Sequence, residues 1–118
     1  MSKGLIGFVR RPGDSFANSI SYHPKKDSIS FKLACSQHEN YIAALQKTGI
    51  ELVVLPALKK YPDAPFVEDT TVVLDSLAIA CPNKEKSRQG EGSSLHAEIK
   101  KYMPIKILPE STILDGGD

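Results

Sequence analysis

This sequence has almost no excess charge of either sign. Fifteen Lys and Arg stand against fourteen Asp and Glu in 118 residues, a formal charge of +1. No global field is available to hold a nucleic-acid backbone or an anionic membrane, so neither is expected as a partner and any charged ligand must be recognised locally. No apolar run approaches the roughly eighteen residues that a membrane span needs, and residues 1–8 lack a signal-peptide core, which predicts a cytoplasmic chain. Cysteine is scarce too. Cys35 falls within a helical pattern and Cys81 at the end of an apolar strand pattern, so both read as small buried thiols rather than a disulfide or half of a metal site. The absence of CxxC, HxxxH and GxxxxGK[ST] removes support for zinc or a phosphate loop. Neither a metal nor a cofactor is expected.

What is present, 41% hydrophobic and 25% charged residues, is the composition of a soluble globular protein, and the length suits one compact domain. Residues 5–9 form an apolar run closed by Arg10, Arg11, Pro12 and Gly13, which predicts a buried strand entering a turn. Residues 14–30 show no period and read as a loop. Over residues 31–48, Leu33, Ala34, His38, Tyr41, Ile42 and Leu45 recur at helical spacing, with Gly49 as the stop. A β-branched strand over 50–55 follows, ended by Pro56. Two prolines make 61–65 irregular. Residues 70–74 and 77–81 predict paired strands with a turn at Asp75-Ser76, residues 93–102 a helix capped by its serines, and residues 106–108 a short strand. The two halves thus share a plan of about fifty residues each, an α/β layering.

Three places invite chemistry. Asp63, Glu68 and Asp69 sit among prolines and Phe66 on rigid backbone just before a strand, where a half-desolvated carboxylate would pair strongly with a planar cation. The plainer alternative is that Asp63 caps a turn, Glu68 faces solvent and Asp69 caps the start of the strand. In Leu114-Asp115-Gly116-Gly117-Asp118, the glycines allow positive φ or close backbone approach between two acids, either as an exposed turn or as an acid able to orient a histidine. Arg88, in Ser87-Arg88-Gln89-Gly90-Glu91, reads either as a solvated loop residue or as a clamp for a carboxylate. The histidines say less. His38 lies near an apolar helix face, and His23 and His96 sit in polar surroundings.

Together, Phe8-Val9-Arg10, Gln37-His38 with Tyr41 and Leu45, Leu55-Pro56, Tyr61-Pro62-Asp63, Phe66-Val67-Glu68-Asp69-Thr70, Ser87-Arg88 with Gly90-Glu91, and Leu114-Asp115-Gly116-Gly117-Asp118 resemble the amino-terminal part of the dimethylarginine dimethylaminohydrolase family. That family belongs with arginine deiminases and amidinotransferases among guanidine-modifying enzymes. The resemblance implies a pentein fold, an α/β propeller of five ββαβ units around a central channel, with residues 1–118 as the N-terminal portion of that single domain, about its first two units. It implies hydrolysis of methylated arginine to citrulline and an amine by a cysteine nucleophile, without a cofactor. Asp69 would pair with the substrate guanidinium with Glu68 beside it. Asp63 would lie near the substrate amino group, Arg88 would hold its carboxylate, Asp115 would support the catalytic histidine and the guanidinium, and Phe16 would sit on a mobile lid. The family's histidine and nucleophilic cysteine would lie beyond Asp118, so this chain alone is expected to be inactive. Two other readings stay open: a relative acting on arginine or another guanidine, and a non-catalytic binding module that assembles through unclosed sheet edges.

Overall fold

A computed structural model describes residues 4–20, 24–25, 28–109 and 111–117; His23 and Asp118 lie outside the described residues. The chain divides into two compact units, Met1–Pro65 and Phe66–Asp118.

In the first unit, strands β1 (Ile6–Arg10) and β2 (Glu51–Leu55) pair in parallel, from Ile6↔Glu51 to Arg10↔Leu55. A parallel pair requires a long crossover, and helix α1 (Phe31–Lys47) supplies it. The Ser30 side chain accepts from the Leu33 amide at 3.2 Å, satisfying one of the donors that the first helical turn leaves open. At the other end, Gly49 takes φ +86°, a left-handed conformation that side-chain-bearing residues resist, and the chain turns directly into β2. Val9, Ile42 and Leu55 form the buried centre. The predicted apolar face of α1 is narrower than its sequence pattern. Ile42 is buried and Ala34, His38 and Leu45 are half-buried, whereas Leu33 and Tyr41 are exposed. At about 100° per residue, Leu33 falls off the stripe that positions 34, 38, 42 and 45 define, and Tyr41 lies at its edge.

The second unit is a ββαβ arrangement. Strands β3 (Thr71–Val73) and β4 (Ala78–Ala80) form an antiparallel hairpin whose turn is closed by the Leu74 amide donating to the Leu77 carbonyl at 2.8 Å, around the predicted Asp75-Ser76. Helix α2 (Ser93–Ile99) then carries the chain to β5 (Ile105–Ile107), parallel to β4, giving the order β3-β4-β5. Ala78, Ala80, Cys81, Leu95 and Ile99 fill the core. The serines do not cap α2 as expected: Gly92 occupies the cap position with no side-chain bond, and Ser93 and Ser94 are exposed in the first turn. The helix also ends at Ile99 rather than at residue 102. Residues 100–103 continue as hydrogen-bonded turns until Pro104, which disfavours helix in the residue before it. Among the described residues, no helix is long and apolar enough to cross a membrane.

Candidate functional site

Phe16 and Asp63 belong to the first unit. Phe16, half-buried, lies in the short 3-10 turn Asp14–Asn18. That segment is tied down: Ser15 donates to the Lys59 carbonyl at 2.6 Å, and Ser19 donates to the carbonyls of Phe16 at 2.6 Å and Pro62 at 3.0 Å. The Asp63 carboxylate, on a residue 4% exposed, accepts the Ile20 amide at 3.2 and 3.3 Å. Asp63 therefore fastens residues 14–20 from across the sequence rather than capping its own turn.

The remaining expected site residues lie in the second unit. Asp69 ends the 3-10 turn Val67–Asp69, which is stiffened by the Thr70 amide and hydroxyl, both donating to the Val67 carbonyl. Glu68, one residue earlier, is exposed. Arg88 ends a second such turn, Lys86–Arg88. Gly90 at φ +87° then bends the chain so that Glu91 folds back, its amide donating to the Arg88 carbonyl at 3.1 Å. Local backbone chemistry thus sets Glu91 against Arg88.

The result is a buried ion network. Arg88 Nε donates to Glu91 Oε1 at 3.0 Å and Nη2 to Oε2 at 2.7 Å, a two-pronged pair, while Nη1 donates to Asp69 Oδ2 at 2.8 Å. The side chains of Arg88 and Glu91 are 8% and 2% exposed, whereas that of Asp69 is 21% exposed. Burial opposes the Arg88 charge, but the hydrogen bonds and charges of Glu91 and Asp69 outweigh it and raise the guanidinium pKa above its ordinary value. Arg88 is thus neither solvated nor open, and its fork is directed to two carboxylates of its own chain.

Asp115 joins Asp69 around a glycine. The Gly116 amide donates to the Asp69 carbonyl at 2.9 Å, and the Gly117 amide to Asp115 Oδ1 at 2.8 Å. A Cβ at Gly117 would stand 2.5 Å from Asp69 Oδ1 and 3.1 Å from Asp115 Oδ1. Of the two roles open to these glycines, the structure uses close approach: neither has positive φ. Asp69, Glu91 and Asp115 bring three carboxylates against the one guanidinium of Arg88, leaving two negative charges uncompensated around Asp69 and Asp115.

Beside this network a cleft of about 520 Å³ is lined by Thr70, Cys81, Arg88, Ser93 and His96, among others. His96 Nε2 lies 2.9 Å from Thr71 Oγ1 and 3.3 Å from the Thr70 carbonyl. Because the carbonyl only accepts, this network assigns the proton to Nε2. Burial lowers the His96 pKa and the bond to Thr70 partly restores it. The Cys81 thiol is pushed up by burial, lowered by a backbone bond to Val72 and raised again by Asp115, so it stays protonated and points its hydrogen to the Ile79 carbonyl at 3.5 Å. A protonated thiol is a poor nucleophile. Cys35 is also free, on α1. Among the described residues, no three His, Cys, Asp or Glu are grouped to hold a metal ion.

Sequence reasoning assigned no role to Glu91 or His96. A local signal for Glu91 existed, namely an acid three residues after Arg88 across a glycine, the spacing that a tight turn closes.

Comparison with known proteins agrees with the resemblance. The family model for eukaryotic N,N dimethylarginine dimethylhydrolase matches residues 9–116. The N(G),N(G)-dimethylarginine dimethylaminohydrolase of Pseudomonas aeruginosa is 32% identical over 108 residues, covering 91% of this chain and 41% of that protein. That of Streptomyces coelicolor is 29% identical over 111 residues, covering 93% and 43%. The chain therefore spans less than half the length of these relatives. Among solved structures, a crystal structure of a dimethylarginine dimethylaminohydrolase variant as its S-methyl-L-thiocitrulline adduct superposes with a TM-score of 0.91 at 24% identity, covering 97% of this chain and 46% of that one. The substrate-bound N-terminal domain of the cyanobacterial arginine dihydrolase ArgZ gives 0.78 at 19% identity, covering 94% and 42%. These likenesses establish a shared mixed α/β fold, and with the match over residues 9–116 the chain belongs to the dimethylarginine dimethylaminohydrolase family.

Proposed function

We propose that the chain supplies the substrate-recognition part of a cytoplasmic hydrolase that converts methylated arginine to citrulline and dimethylamine. In this reading, its two units are the opening pair of a pentein propeller. The observation that carries it is the half-open Asp69 carboxylate, fixed on one oxygen by Arg88 and facing Asp115 across Gly117. A planar cation with N–H donors on its edges is the ligand that such a pair of acids favours, and a methylated guanidinium is one. Glu68 borders the same site, and Phe16 and Asp63 keep the roles that the resemblance gives them. The resemblance also gives Arg88 the substrate carboxylate, whereas in this chain its donors face Glu91 and Asp69.

The chemistry would run through a cysteine thiolate and a histidine outside residues 1–118. The thiolate adds to the guanidinium carbon, and the carbon–nitrogen bond to dimethylamine breaks as the histidine delivers a proton to the leaving nitrogen. Water then adds to the resulting thiouronium and expels the thiol, leaving the ureido group of citrulline. Asp69 and Asp115 contribute by holding the cation and keeping its carbon in place for attack. The protonated Cys81 argues against that residue as the nucleophile.

Titration of the chain with asymmetric dimethylarginine, followed by amide NMR, tests this. Saturable shifts at residues 68–69 and 115–117 are expected, without citrulline formation. Asp69→Asn should weaken binding by roughly 1.5–3 kcal/mol, the size of a charged hydrogen bond. Absence of binding would overturn the guanidinium reading, preference for unmethylated arginine would favour the arginine-acting relative, and sustained citrulline formation would overturn the inactivity of the chain alone.

A further inference from the structure

Glu91 has no place in the reading above, yet it is the most deeply buried acid of the network, its side chain 2% exposed. A buried carboxylate is retained at a large desolvation penalty unless it is paired and hydrogen-bonded, and Arg88 meets both conditions with Nε and Nη2. The third donor position, Nη1, goes to Asp69 Oδ2. If Arg88 faced Asp69 alone, the two would form a neutral pair and the attraction of the site for a cation would fall to that of Asp115. With Glu91 in place, the guanidinium is balanced from behind, and Asp69 is oriented by Arg88 without being neutralised by it. Asp69 Oδ1 is left on the Gly117 side, next to Asp115.

We propose that Glu91 is a positioning residue: it anchors and balances Arg88, which holds Asp69 Oδ2, so that Asp69 Oδ1 keeps both its place and its negative charge for the substrate guanidinium. This rests on the function proposed above. It makes residues 88–91 a support behind the site, and it makes selectivity for a cationic ligand over a neutral one depend on a side chain that touches neither.

The test compares affinities of the whole chain for asymmetric dimethylarginine, a cation at its side chain, and citrulline, its neutral counterpart, by calorimetry. Glu91→Gln keeps the shape and removes the charge. It should weaken dimethylarginine roughly ten- to a hundredfold, the range of one charged hydrogen bond, and leave citrulline nearly unchanged. A merely structural role would weaken both ligands together, and that result, like an unchanged preference, overturns the proposal. Glu91→Asp keeps the charge but shortens the reach, and should lose part of the preference for the cation, less than Glu91→Gln does. If Glu91→Gln does not fold, Glu91→Asp decides: a selective loss for dimethylarginine supports the positioning role, and a parallel loss or none overturns it. A wild-type chain that binds neither ligand sinks the guanidinium function itself, whereas one that binds dimethylarginine with a preference indifferent to Glu91 sinks only the role of Glu91.

Discussion

At the scale of single residues, the site is a problem of placing like charges close together. Gly117 permits this, because a Cβ at that position would press on Asp69 Oδ1 and crowd Asp115 Oδ1. Gly117→Ala should therefore displace the Asp69 carboxylate and lower affinity for dimethylarginine while leaving the melting temperature little changed, since residue 117 is exposed and the atom it meets is a side-chain end. Unchanged affinity in a calorimetric titration would show that Asp69 Oδ1 is not the receiving oxygen. The acids themselves were readable in the sequence, because Asp63, Glu68 and Asp69 stand out on proline-stiffened backbone. The partner of Asp69 was not. Arg88 is nineteen residues away in a loop without periodicity, so neither its burial nor its direction leaves a local trace.

At the scale of elements, the sequence was legible wherever periodicity and stop signals agree. Helix α1 lies where the spacing of its apolar residues and Gly49 put it, and all five strands lie within a residue or two of their β-branched runs. Helix α2 was read less well at both ends, because serines next to a glycine present two cap candidates and the backbone bend at Gly90 selects Gly92. The two helices thus differ in how they begin. Ser30→Ala removes the side-chain bond to the Leu33 amide at the start of α1 and should cost about 1 kcal/mol, lowering the thermal midpoint by roughly 4 °C or more. Melting followed at 222 nm checks this, and an unchanged midpoint would mean that water serves the Leu33 amide equally well.

For the whole molecule, each unit contains a histidine that burial disfavours in its charged form: His38 in the first, where Arg11 adds to the effect, and His96 in the second, where the Thr70 carbonyl partly opposes it. Both pKa values lie below 6.5 in the folded chain. The unfolded chain therefore binds protons more readily at mildly acidic pH. The contribution of these groups to stability is fully present above about 6.5 and is lost as pH falls through the folded-state values. Denaturant melts at a series of pH values from 8 to 5 should show falling midpoints, and His96→Asn should flatten part of that fall. A curve unaffected by the substitution would assign the acid sensitivity elsewhere. This vulnerability is not legible in the sequence, since His96 reads as surrounded by polar residues until the fold places it beside Thr70 and Thr71.

The parallel pairing of β1 with β2 also governs the order in which structure is acquired. Ile6 meets Glu51 only after the intervening chain, α1 included, has been drawn into a closed loop, whereas Thr71 and Ala80 meet across a tight hairpin. Loop-closure entropy and the slow kinetics of non-local contacts put the hairpin on a microsecond timescale and delay the first sheet. During synthesis, β1 emerges first and waits unpaired until residue 55 has cleared the ribosome. Of the two strands, the one made earlier thus stays without its partner for as long as α1 is being made.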